Sequence, residues 1–282
     1  MKNLIKKFVK FLSKKIVNIL FYFNSGRYFL EKLNLNTHNK KYKVKYKNKE
    51  YNFHIPNRMN FYRAQTFLSK EPETIKWIES FHEGSIFWDI GANIGIYSCF
   101  AAKEKKAKTF SFEPSVFNLE ILAKNIFSNN LSNEIVIVPL SLTNKFKISD
   151  FNMSKVEYGG SRSTFSEKYD ENGNLFSPVF KYKTLGMSGN DLIKKFNLEK
   201  PDYIKIDVDG IEYLILSGLS EILNNTKSIL LEVTDNFKVK KDDIKKFFEN
   251  NGFIMENKKN FDLNEYYPGS PKVYNQIWKK NI

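Results

Sequence analysis

The stretch Asp89-Ile90-Gly91-Ala92-Asn93-Ile94-Gly95 restricts what this chain can fold into more than any other. It follows an apolar run with strand character and opens a helical run, the context a nucleotide-binding turn requires. Gly91 and Gly95 let the backbone turn sharply and approach a ligand with no Cβ in the way. The helix that begins there offers free N–H groups. A dinucleotide fold calls for Gly-x-Gly-x-x-Gly, whereas position 93 is Asn and the spacing is Gly-x-x-x-Gly. That argues against a pyrophosphate and hence against a dehydrogenase. Asp89 suits a ligand that carries an ammonium group.

A strand–helix alternation surrounds the turn. Strands are predicted at 85–90, 109–112, 135–142, 202–208 and 229–233, with helices at 94–103 and 115–128 and after the last two strands. This order implies an α/β fold with a parallel sheet covered by helices on both faces. Two further strands, 253–256 and 273–279, flank a loop holding Tyr266, Tyr267 and Pro268. Upstream, 42–46 and 51–55 read as a hairpin around Asn48-Lys49. Residues 60–81 read as helical, with Phe61, Phe67, Leu68, Ile75, Ile78 and Phe81 as core contacts. Between 143 and 185 the alternation breaks around Tyr158-Gly159-Gly160, Asn172-Gly173 and Ser177-Pro178, which marks an insertion. Insertions at the carboxyl edge of such a sheet usually shape the substrate site. The expected organisation is a segment at 1–35, a hairpin and helix at 36–84 packing on the core, and a domain at 85–282 carrying the insertion.

Acids gather where strands end. Glu113, 22 residues after Gly91, can accept both hydroxyls of an adenosine ribose. Ser141, at the third strand end, falls beside the adenine in this layout. In Tyr203-Ile204-Lys205-Ile206-Asp207-Val208-Asp209-Gly210-Ile211-Glu212, the period of a strand points Lys205, Asp207 and Asp209 the same way. Asp209 also reads as a cap for the next helix, and Glu212 lies in that helix's first turn. Glu232 ends the following strand. Asp207 or Asp209 with Glu232 and Asp235 could supply oxygen ligands to Mg²⁺; strand-end acids are common without a metal, so none is assigned.

Lys and Arg total 45 against 31 acidic residues, a formal charge of +14. The excess favours nucleic acid, an acidic membrane surface or an acidic glycan, or else is a solvated lysine-rich surface. The single cysteine, Cys99, excludes an internal disulfide framework, which fits a reducing, cytoplasmic setting. No stretch reaches the roughly 18 apolar residues of a membrane span. In 1–23, however, Ile5, Phe8, Val9, Leu12, Ile16, Ile19, Leu20 and Phe23 recur at helical spacing, with Lys6, Lys7, Lys10 and Lys14 mostly opposite. Such a helix can lie on an anionic bilayer at the inner face of the membrane; it equally suits packing on the domain or a homodimer contact.

Taken together, Asp89 to Gly95, Phe112-Glu113-Pro114 with Asn118 and Asn125, Lys205 to Glu212, and Gly218 resemble the FkbM family of S-adenosylmethionine-dependent methyltransferases over residues 85 to 235. The resemblance implies a Rossmann-like, class I methyltransferase fold: a mostly parallel seven-stranded sheet with one antiparallel strand. It implies methyl transfer, usually to a hydroxyl of a sugar or natural product; together with the basic surface and the membrane-surface helix it points toward a bacterial surface glycan or its lipid-linked precursor. By position, Asp89, Gly91, Asn93, Gly95, Glu113 and Ser141 would hold the cofactor, and Asp207, Asp209 and Glu212 would line the reaction edge. At Asp209 the family more often has Glu. His38, His54 and His82 fall outside the expected cofactor edge, so a carboxylate is the expected base, Asp207 before Glu232. The rival readings are an RNA methyltransferase, disfavoured by the lack of an Asn/Asp-Pro-Pro-Tyr/Phe motif, and a non-catalytic basic protein binding RNA or membrane.

Overall fold

The computed structural model describes residues 2–167, 175–234, 238–261 and 273–281. Asn172-Gly173, Asp235 and the Tyr266-Tyr267-Pro268 loop lie outside them.

Two helices, α1 (Lys2–Phe21) and α2 (Asn24–His38), replace the single predicted segment. The chain doubles back at Tyr22-Phe23 because Gly26 has no side chain: a Cβ there would sit 2.0 Å from the Leu20 carbonyl oxygen. Arg27 donates to the Phe21 carbonyl at 3.0 Å, satisfying an acceptor left open at the end of α1. The hairpin follows as β1 (Lys41–Tyr46) and β2 (Lys49–His54), antiparallel throughout.

The helix expected at 60–81 is three short ones, α3 (Arg58–Gln65), α4 (Phe67–Lys70) and α5 (Pro72–Glu79). The Thr66 hydroxyl bonds back to the Tyr62 carbonyl at 2.8 Å where the first ends, and Pro72 has no N–H with which to continue the second. Phe67, Ile75, Ile78 and Phe81 are buried as expected, while Phe61 remains 37% exposed.

Next come β3 (Ile86–Ile90), α6 (Ile96–Lys105), β4 (Lys108–Phe112), α7 (Val116–Ser128) and β5 (Ile135–Val138). The third strand was expected to run to 142, but Pro139 cannot donate to a ladder. The chain changes sheets there: β6 (Ser141–Leu142) joins β7 (Lys147–Met153), β8 (Ser163–Phe165) and β9 (Phe180–Met187) in a four-stranded sheet of order β6-β9-β7-β8. The chain then returns through α8 (Gly189–Phe196), β10 (Tyr203–Ile206), α9 (Glu212–Ser217), β11 (Ser228–Thr234), α10 (Lys238–Asn250), β12 (Phe253–Phe261) and β13 (Val273–Lys280).

The central sheet has seven strands in the order β12-β13-β11-β10-β3-β4-β5. Its neighbours pair in parallel except at β13, which is antiparallel to both β11 and β12. This is the Rossmann-like arrangement expected. Alternate side chains feed two cores. Phe87, Tyr203 and Leu230 pack beneath α5, α6 and α7; Trp88, Ile204, Ile229 and Leu231 pack beneath α8, α9 and α10. Among the described residues no helix is long and apolar enough to cross a membrane.

Candidate active site at the carboxyl edge of the sheet

From β3 the chain steps outward through β4 and β5; from β10 it steps the other way to β11. The strand order thus reverses between β3 and β10, the point where open α/β sheets bind ligands. A cavity of about 250 Å³ opens there. Gly91, Asn93, Glu113, Ser141, Asp207, Asp209 and Glu232 lie on its wall; Asp89, Gly95 and Glu212 do not.

Gly91 and Gly95 turn the backbone sharply, as the motif suggested, and each has a further reason that the motif does not show. Gly91 has φ +80°, and a Cβ would lie 1.9 Å from the Asp207 carbonyl oxygen; a Cβ on Gly95, at φ +77°, would lie 2.2 Å from Leu122 Cδ1. Each makes room for the protein's own packing. Asn93 (φ +51°) carries the turn between them. Its backbone N–H donates to Glu113 Oε2 at 2.8 Å and its Nδ2 to the Gly160 carbonyl at 2.9 Å.

Glu113 is buried just past β4, and its other oxygen accepts the Ser115 N–H at 2.8 Å. Burial pushes its carboxyl up to about 7 against the pull of these N–H donors. Asn93 Oδ1 and Ser141 Oγ are buried, and among the described residues neither has a hydrogen-bond partner. Such atoms leave hydrogen-bonding capacity that a water or a polar ligand would take up.

Asp89 sits behind the wall. Its Oδ2 accepts from Ser98 Oγ at 2.5 Å, and Ser98 in turn accepts from Ser111 Oγ at 2.8 Å. Burial raises its pKa, opposed by the charge of Lys205. Glu212 accepts the Gly210 N–H at 3.0 Å beside the start of α9, and Asp209 accepts the Ser163 N–H at 3.1 Å, tying β8 to the sheet edge.

The end of the cavity beside β10 and β11 is ionic. Lys205 is buried, with Nζ 2.5 Å from Asp207 Oδ2 and 5.1 Å from the centre of the Tyr97 ring. Burial alone would lower its pKa, but Asp207, Asp89 and Glu71 raise it. Glu71, buried at the end of α4, pairs with Lys70 at 2.8 Å. Burial would raise this carboxyl too; Lys70 and Lys205 instead hold it below the usual range. Glu232 takes the opposite course: burial, then the charges of Asp207 and Glu71, push it well above an ordinary carboxyl.

Several wall residues had no signal in the sequence. Tyr62, Arg63 and Lys70 reach the cavity from the helices before β3, and Lys155, Arg162 and Phe165 from the insertion. The only hint was the density of turn residues at 158–160, and that segment is clamped to the edge. Asn118 Nδ2 donates to the Gly160 carbonyl and its Oδ1 accepts the Gly159 N–H, while Arg63 Nε donates to the Gly159 carbonyl at 3.0 Å. His38, His54 and His82 are absent from the wall. Among the described residues no three His, Cys, Asp or Glu side chains gather as metal ligands would, and Asp235 lies outside them.

The sequence profile of the methyltransferase FkbM domain matches residues 89–255. The chain is also similar to the hexuronic acid methyltransferase AglP of Haloferax volcanii, 26% identical over 167 residues, a stretch that spans 59% of this chain and 63% of that relative. Two solved structures are similar at low identity. One is precorrin-6y C5,15-methyltransferase from Geobacter metallireducens (14% identity, TM-score 0.44, 75% of this chain and 87% of that one). The other is TYW2 of M. jannaschii in complex with AdoMet (14% identity, TM-score 0.42, 86% and 87%).

Proposed function

Since the chain belongs to the FkbM methyltransferase family, we propose that it is an S-adenosylmethionine-dependent methyltransferase acting on an oxygen of a sugar in a surface glycan or its lipid-linked precursor. The observation that carries this reading is the wall of the cavity, which the buried carboxyl of Glu113 shares with two polar atoms, Asn93 Oδ1 and Ser141 Oγ, that have no hydrogen-bond partner among the described residues. Those residues fit the cofactor: Glu113 would accept its ribose hydroxyls, and Asn93 and Ser141 would bond its polar edges. Asp89 and Gly95 support the turn from behind. Bound there, the cofactor supplies a sulfonium methyl already activated for transfer.

The chain's own residues must then align the acceptor oxygen and take its proton. Alignment converts a bimolecular encounter into an oriented one. A base helps because a sugar hydroxyl is a poor nucleophile until its proton begins to leave. Both Asp207 and Glu232 line the cavity, and we assign the proton to Glu232. Its raised pKa makes it the stronger base, whereas Asp207 is engaged by Lys205 at 2.5 Å. Arg63, Lys155 and Arg162 on the same wall suit an acidic sugar, in keeping with the name of the Haloferax relative. The test is mass spectrometry of surface polysaccharide from a strain lacking this gene: one methyl group should disappear from a sugar residue, and an unchanged glycan would overturn the acceptor assignment.

A further inference from the structure

Twelve large apolar side chains from Leu4 to Phe23 are each at least 44% exposed. Apolar surface gathered in this way marks a contact surface. At about 100° per residue, Ile5, Phe8, Leu12, Ile16 and Ile19 share one side of α1, while Lys6, Lys7, Lys10 and Lys14 occupy the other. The helix holds six lysines and no acid. It is not a stray tail, because Gly26 seats α2 against its end and His38 fastens α2 to the domain through Glu120 at 2.7 Å and the Tyr158 ring at 5.2 Å.

What covers this face must accept apolar side chains along one side and positive charge along the other. A second copy would bring together two chains that each carry a formal charge of +14 and would leave the lysine side of α1 without an anionic partner. We propose that the α1–α2 hairpin docks the protein on an anionic lipid surface, with α1 lying in the plane of the headgroups. Its apolar side would enter the acyl boundary, and the lysine stems would reach up to the phosphates. This proposal stands independently of the reaction assigned above.

The test is flotation of the full-length protein with vesicles of phosphatidylcholine alone or mixed with phosphatidylglycerol. Binding is expected only to the mixed vesicles, falling as salt is added. Phe8→Glu with Ile16→Glu, and separately Lys6→Glu with Lys10→Glu and Lys14→Glu, should each weaken it by about tenfold or more. All five positions are exposed, so an unchanged melting temperature confirms folding. The native tryptophans lie at 77, 88 and 278, all buried. In a Phe8→Trp variant, fluorescence that shifts to the blue with the mixed vesicles, relative to wild type, therefore reports α1 itself. Equal binding by the variants, or none by wild type, would overturn the proposal. A lipid-independent dimer abolished by Phe8→Glu with Ile16→Glu would overturn it too, assigning the face to a second copy.

Discussion

The backbone of Gly91 passes so close to that of Asp207 that a Cβ on the glycine would lie 1.9 Å from the Asp207 carbonyl oxygen. The ends of β3 and β10 therefore meet at the point where the strand order reverses, and the first glycine of the motif holds that junction closed. Gly91→Ala should destabilise the fold by more than the roughly 1–3 kcal/mol expected of a positive φ alone. Gly84→Ala is the control: it has φ +72° and nothing within 4 Å of its Cβ. Urea denaturation should show a clearly larger loss at position 91.

Lys205 is a buried cation whose charge Asp207, Asp89 and Glu71 stabilise. Lys205→Met should cost about 3–5 kcal/mol, as when one partner of a buried ion pair is removed. Adding Asp207→Asn should recover part of the loss, because the stranded charge is removed with it. Denaturant midpoints of the two single variants and the double variant measure this coupling.

Glu113 links folding to pH. Its folded pKa is about 7 against an ordinary 4.5, so its contribution to stability is full below about 4.5 and is lost as pH rises through about 7. The gap is worth at most ~3 kcal/mol. Glu113→Gln should flatten the pH dependence of stability across that window. Cofactor affinity in wild type should move the other way, rising as the carboxylate forms to accept the ribose, and Glu113→Gln should lose that rise.

Two carboxylates compete for the role of base, and their variants separate them. With Glu232 as the base, turnover rises with pH as it loses its proton, and Glu232→Gln lowers kcat by about 10²–10⁴ while cofactor binding persists. Asp207→Asn removes a neighbouring negative charge that raises Glu232, so the rise should shift to lower pH. The reverse pattern, with Asp207→Asn abolishing turnover and Glu232→Gln only shifting the profile, would move the base to Asp207.

The parallel strands were legible because β3, β5, β10 and β11 carry apolar runs that end in turn signals, while β4 alternates apolar and polar residues. Side-chain period was enough to place Lys205 and Asp207 together. It was not enough for Glu71, Lys70 and Arg63, which reach the edge from short helices whose breaks at Thr66 and Pro72 redirect the chain. Nor does any local pattern announce that Pro139 diverts the third strand into a second sheet, because that outcome depends on pairing with β9, more than forty residues away. The motif glycines were found for an incomplete reason: a one-dimensional reading sees an absent side chain but not the neighbour, Asp207 or Leu122, that requires the absence.

Titration calorimetry tests, without knowledge of the acceptor, whether the cavity at the β3–β10 junction binds S-adenosylmethionine with Glu113 on its ribose. Wild type should bind the cofactor with one site per chain, Glu113→Ala should lose most of the affinity, and Glu232→Gln should retain it. No binding by wild type, or undiminished binding by Glu113→Ala, would contradict this role for the cavity and for Glu113.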